Sequence, residues 1–168
     1  MQKEIYDLSG VLRKAGVMRK YAGCLSVKGN YRKKNQDRAC CLSSSKKGIL
    51  FAVGCVCDGI GSFAQSEIAA EMIRVGIERW FLGMEPLYPE NIDEESLIDD
   101  LDMTIRELNE LIWIYRKENG FDIGCSMSLL VVLNENYLVF HVGESKILLI
   151  DDRVSQITKD EVSVVERD

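Results

Sequence analysis

The run Ile49-Leu50-Phe51-Ala52-Val53-Gly54-Cys55-Val56-Cys57 is apolar at odd and even positions alike, and it ends in Asp58-Gly59-Ile60-Gly61-Ser62. A strand of that composition calls for cover on both faces. The carboxylate that follows it is held rigidly at the mouth of a core. Gly59 lets the backbone turn its carbonyl toward whatever Asp58 binds. A carboxylate beside a carbonyl oxygen suits a hard divalent cation. An Asp-Gly turn that simply ends a strand is the competing reading of the same residues.

The remaining segments supply the cover. Ile68, Met72, Ile73, Gly76, Ile77 and Trp80 recur at three- and four-residue steps and predict a helix from about Gln65 to Phe81. A loop with Gly83, Pro86 and Pro89 ends it. Leu97, Leu101, Ile105, Leu108, Ile112 and Tyr115 stripe a second helix, with Asp93 as its N-cap and Gly120 as its stop. Acidic residues crowd its start, where the helix dipole favours them. Tyr21–Val27 and Arg38–Ser43 read as strands joined by a basic loop, and Ser43–Gly48 as a polar turn. Ser126–Leu133, Tyr137–Val142, Lys146–Ile150 and Arg153–Thr158 read as an antiparallel meander. Residues 1–20 are weakly patterned and read as an N-terminal arm, either a short helix or a loose segment; residues 21–168 read as one α+β layered domain.

Two loops carry candidate chemistry. Gly29-Asn30-Tyr31-Arg32-Lys33-Lys34-Asn35-Gln36-Asp37-Arg38 is a turn entering a strand. Arginine suits forked recognition of a phosphate; alone, Arg32 reads as a solvated loop residue and Asp37 as a turn cap. Further along come Gly124-Cys125-Ser126-Met127-Ser128, His141-Val142-Gly143-Glu144-Ser145-Lys146 and Ile157-Thr158-Lys159-Asp160-Glu161. In this order, from about Tyr21 to about Asp160, these segments resemble the bacterial members of the metal-dependent, type 2C family of protein serine/threonine phosphatases. That family shows R-x-x-N-Q/E-D, D-G-x-G, G-T/S-T-A, V-G-D-S-R and L-T-x-D-H in the same sequence.

The resemblance implies a four-layer α-β-β-α sandwich and a pair of Mg²⁺ or Mn²⁺ ions that activate a water against phosphoserine or phosphothreonine. It implies that Asp58 bridges both metals and that Asp37 and the Gly59 carbonyl bind one of them. It assigns the substrate phosphate to Arg32, which with Asp58 is catalytic, and places Glu144 at a third, weaker metal site. Three departures stand out. The family's S-D-G and D-N segments, with two further metal-binding aspartates, occur nowhere in the sequence. The C-terminal part of the sandwich is therefore expected to be missing and the binuclear site incompletely liganded. Glu144 stands where the family has aspartate, and Glu161 where it usually has histidine. Two functions follow from the resemblance: a phosphatase domain acting on phosphoproteins in signalling, in company with a serine/threonine kinase; or an inactive pseudophosphatase that binds phosphoproteins or a partner. Strand edges left open by a partial sandwich predict a homo-oligomer joined through them or a poorly soluble monomer, unless the arm of residues 1–20 covers part of the gap.

Composition narrows the field. The first fifty residues hold 12 Lys/Arg and 3 Asp/Glu, the rest 9 and 24. A nucleic-acid reader would be basic throughout, so none is expected, and Lys28, Arg32, Lys33, Lys34 and Arg38 read as a rim facing phosphoproteins or as an ordinary solvated loop. The longest apolar run, about ten residues, falls short of the roughly 20 that span a bilayer. The N-terminus lacks the apolar core of a signal peptide, so a cytoplasmic protein is expected. Six cysteines and one histidine offer no C-x-x-C pair for zinc. Cys55 and Cys57 share one strand face and read as buried reduced thiols, with a soft-metal or redox role as the alternative.

Overall fold

The computed structural model describes residues 22–159, and residues 2–7 as backbone. In chain order the elements are β1 (Gln2–Asp7), β2 (Arg38–Lys46), β3 (Ile49–Cys57), α1 (Ser66–Met84), α2 (Glu94–Asn119), β4 (Met127–Leu133), β5 (Asn136–Val142), β6 (Leu148–Ile150) and β7 (Val154–Gln156). The first five strands form one antiparallel sheet in the order β1-β5-β4-β3-β2, and β6 pairs with β7 in a separate hairpin.

β3 sits inside that sheet, paired from Lys46↔Ile49 to Arg38↔Cys57 on one side and from Phe51↔Leu133 to Val56↔Ser128 on the other. Phe51, Val53, Cys55 and Cys57 face the helices and are buried. The Phe51 ring packs against Phe81, Tyr88 and Trp80, with centroids 4.6, 5.3 and 5.8 Å away. The sequence called for equal cover on the opposite face. There Leu50, Ala52 and Gly54 are half-buried and Val56 is 43% exposed, because both helices lie on one side of the sheet.

The helices follow their stripes. Leu97, Leu101, Ile105, Leu108 and Ile112 of α2 are buried. Asp93 caps α2 by accepting from the Ser96 amide at 2.8 Å, and Gly120 ends it at φ 69°, the left-handed turn that glycine adopts without strain. Gly76 brings α1 and α2 together: a Cβ there would lie 2.5 Å from both Leu108 methyls. Trp80 ties the pair by donating its indole N–H to Asp100 at 2.9 Å.

Three segments differ from expectation. Residues 22–27 form no strand; Leu25 and Val27 are exposed, and β2 beside them pairs with β3 alone among the described residues. The polar stretch Ser43–Lys46 continues β2, because Ser44 and Lys46 both bind Glu85 after α1. The turn shrinks to Lys47-Gly48, both at positive φ, the two-residue geometry that matches strand twist. In place of a helix or loose arm, residues 2–7 form a strand along β5, from Gln2↔His141 to Asp7↔Asn136. That pairing satisfies the amides and carbonyls β5 would otherwise expose. The rest of the arm, and the Asp160-Glu161 pair, lie outside the described residues. Among those described, no helix is long and apolar enough to cross a membrane.

Candidate active site

β3 ends at the floor of a cleft of about 760 Å³ whose lining includes Arg32, Asp37, Asp58, Gly59, Ser126 and Glu144. Four separate stretches meet there: the basic loop, the end of β3, the entry to β4 and the turn after β5. The Asp58 carbonyl accepts from the Ser126 amide at 2.8 Å, and the Ile60 amide donates to the Gly124 carbonyl at 3.0 Å. These bonds extend the β3–β4 pairing past the strand ends as a Gly59↔Cys125 bridge.

Gly59 is required by crowding. A Cβ there would lie 2.8 Å from both the Cβ and the carbonyl oxygen of Gln36, and 3.0 Å from the Ser66 Cβ. Gln36 in turn donates to the Phe63 carbonyl at 2.9 Å, fixing the basic loop against the start of α1. Asn35 Oδ1 accepts from the Asp37 amide at 3.0 Å and shapes the turn that presents Asp37. Gly143, at φ 104°, lets the Glu144 turn press onto Ser126, and the Ser126 and Ser145 hydroxyls hydrogen-bond at 2.9 Å.

The electrostatics of the cleft are those of crowded anions. The Asp58 carboxyl is held above the usual carboxylate range. Partial withdrawal of this otherwise exposed side chain from water is the largest cause, followed by a hydrogen bond with the Asp37 carboxyl and the charges of Asp37 and Glu144; Arg32 acts in the opposite direction. A cation facing both carboxylates would relieve that crowding. That donor set, with the Gly59 carbonyl beside it, fits one oxygen-bound divalent ion. It does not complete a two-metal centre: among the described residues no three His, Cys, Asp or Glu side chains form a ready-made metal cluster.

Arg32 is exposed at the rim. Its guanidinium donates to the Gly61 carbonyl at 3.2 Å and lies 5.7 Å from the centroid of the Tyr31 ring. The basic cluster is only partly open. Lys34 is ion-paired to Glu67 at 3.0 Å, and Arg38 to Glu71 at 2.8 Å, both on α1. All five residues singled out from the sequence, Arg32, Asp37, Asp58, Gly59 and Glu144, line this one cleft. The sequence reading missed Gln36 and Cys125. Gln36 stood within the R-x-x-N-Q-D segment, but its bond is to a carbonyl 27 positions away, which no local pattern encodes.

No protein-family model matches the chain, and no curated protein matches it. Solved structures do. The chain is similar to the serine/threonine phosphatase Stp1 from Staphylococcus aureus, with a TM-score of 0.66 and 21% identity over 81% of this chain and 52% of that one. It is also similar to a bacterial serine phosphatase, with a TM-score of 0.63 and 20% identity over 95% of this chain and 55% of that one. An arginine-to-lysine variant of a bacterial serine phosphatase gives a TM-score of 0.64 at 20% identity over the same shares. The chain therefore has the phosphatase-type fold these proteins share, and it spans about half their length.

Proposed function

We propose that this chain, whose fold is that of bacterial serine/threonine phosphatases, carries the phosphate-facing part of a type 2C phosphatase centre. The observation behind this is the convergence of Arg32 and Asp37 of the basic loop, Asp58 after β3 and Glu144 after β5 on one cleft. Asp37, Asp58 and the Gly59 carbonyl would hold a Mg²⁺ or Mn²⁺ ion. Such an ion, when bound, supplies an acidified water and neutralises phosphate charge. The residues of the chain do the positioning. Arg32 is long and exposed, and its hydrogen bond among the described residues is to one carbonyl, so its fork can turn to a phosphoserine or phosphothreonine entering the cleft. Glu144 keeps the negative charge of the turn after β5. Its extra methylene sets the oxygens farther out than an aspartate would.

A second reading has its own support. Because the described residues do not complete a metal cluster, the chain by itself would bind phosphorylated serine or threonine side chains with little turnover, as a pseudophosphatase does. One experiment separates the readings. Phosphopeptide binding and Mn²⁺-dependent phosphate release are measured on the wild type, Arg32→Ala and Asp58→Asn. Phosphate-selective binding lost in Arg32→Ala supports the cleft assignment. Turnover abolished by Asp58→Asn selects the phosphatase; binding without turnover selects the pseudophosphatase. Equal affinity for phosphorylated and plain peptide would refute both.

A further inference from the structure

A second groove opens beside the cleft, under one edge of α2. It measures about 840 Å³, and Ile60, Cys125 and Val142 line both spaces. Its floor is apolar: Ile105, Ile112, Ile123 and Met127 line it and are buried. Asp102, Arg106, Asn109, Trp113 and Arg116 follow one another at three- and four-residue steps, so a single edge of α2 forms the far wall. Ile60 and Val142, 42% and 38% exposed, belong to the boundary that groove and cleft share. Ile60 is held in place there. Its amide donates to the Gly124 carbonyl at 3.0 Å, and its carbonyl accepts from the Phe63 amide at 2.9 Å. Gly124 leaves room for its side chain, since a Cβ at that position would lie 3.0 Å from Ile60 Cδ1.

The charges on the wall are already matched. Arg106 is ion-paired to Asp102 at 2.8 Å, and Arg116 to Asp122. Lys117 Nζ lies 3.7 Å from the centroid of the Trp113 ring. An acidic side chain entering the groove would compete for arginines that have partners, whereas an apolar one is drawn from water onto the floor. Accessible apolar surface rimmed by polar residues is the mark of an interaction site.

We propose that this groove is a subsite for the peptide that flanks the phosphorylated residue. With the phosphate in the cleft, the peptide passes Ile60 and Val142 and lays a large apolar side chain, such as leucine or phenylalanine, on the floor. This subsite rests on the phosphate-facing reading of the cleft, and it adds selectivity. A phosphate is common to every phosphoserine, so Arg32 and the carboxylates cannot tell one phosphoprotein from another; the groove reads the neighbouring residue.

Fluorescence anisotropy of the full chain with labelled peptides tests this. One serine-rich peptide is made phosphorylated and plain, with a single leucine moved in turn through the positions on either side of the phosphoserine. A glutamate series runs beside it. At one position or more, leucine should tighten binding of the phosphopeptide about tenfold or more, as burial of such a side chain implies, and glutamate should not. Trp113→Ala and Asn109→Glu, both at exposed positions of α2, should each shrink that preference severalfold. Met103→Ser, exposed on the same helix and outside the groove, should leave it unchanged. A leucine preference without any effect of the phosphate would uphold the subsite and refute the reading of the cleft. Equal affinity for all the phosphopeptides, a preference for glutamate, or a leucine preference that survives both groove variants would overturn the subsite. Light scattering that finds the wild type dimeric and Asn109→Glu monomeric would overturn it too, because a second copy would then cover the groove.

Discussion

Replacing Gly59 or Gly61 by alanine separates the architecture of the cleft from its chemistry. Neither glycine is at positive φ, so alanine meets no backbone strain at either position. Each substitution removes freedom from the unfolded chain, which favours the fold by about 0.4–1 kcal/mol. The new methyl meets very different surroundings. At Gly59 it would lie 2.8 Å from a backbone carbonyl oxygen and a Cβ, and 3.0 Å from a second Cβ. None of these is the end of a flexible side chain. Overpacking of that kind costs roughly 1–3 kcal/mol, so the net loss is about 0.5–2 kcal/mol. For a chain of this size that lowers the midpoint by several degrees, at about 2–4 °C per kcal/mol. At Gly61 the nearest atom is Arg32 Nη2 at 2.5 Å, with Cζ at 3.1 Å. An exposed guanidinium moves aside, so stability stays within about 0.5 kcal/mol of wild type. Its bond to the Gly61 carbonyl is disturbed, and Arg32 is re-aimed. Urea and thermal unfolding, followed by circular dichroism, measure the first effect; phosphopeptide affinity measures the second. Wild-type stability in Gly59→Ala, or a large loss in Gly61→Ala, would refute the argument.

Three further outcomes follow from the same geometry. Asp58→Asn should stabilise the metal-free protein at neutral pH by about 0.5–2 kcal/mol, at the low end because the cleft is open to solvent. The folded state holds the Asp58 proton to higher pH than the unfolded chain does. Wild-type stability therefore falls as pH rises from the ordinary carboxylate range through the raised folded value, and the gap to the variant should close toward acid; a pH-independent gap would count against it. Calorimetry with Mn²⁺ should show weak binding that vanishes in Asp58→Ala, and tight binding that survives that change would contradict the assignment. Asp93→Ala removes the bond to the Ser96 amide and should cost α2 about 0.5–2 kcal/mol in urea unfolding.

Much of this was legible from the residues. The α2 stripe from Leu97 to Ile112, its cap and its stop needed only helical periodicity, because those signals are local. β3 was legible from its unbroken apolar run, though which face the helices would cover was not, since a run apolar at odd and even positions alike serves either side. The cleft was legible as an ordered set of motifs. Its crowding was not: the contact of Gly59 with Gln36, and of Gly143 with Ser126, are set by segments meeting across the fold. The strand expected at residues 21–27 is not formed over 22–27, where Leu25 and Val27 have the right composition and stay exposed. The ion pairs of Lys34 and Arg38 with α1 were hidden, since opposite charges more than thirty positions apart leave no pattern.

The pairing of β1 with β5 sets an order on synthesis. β1 leaves the ribosome more than a hundred residues ahead of the β5 strand it pairs with. Until β5 emerges, residues 2–7 have no edge to join, while β2 and β3 close early through the two-residue Lys47-Gly48 turn. Contacts so distant in sequence are slow to form and come after local ones. β1 is thus expected to dock last, onto a sheet already built. During that interval the free edge of β5 is open to any extended segment nearby, including the first strand of another copy emerging from the same message. A bulky group fused directly ahead of Gln2 would lengthen that interval.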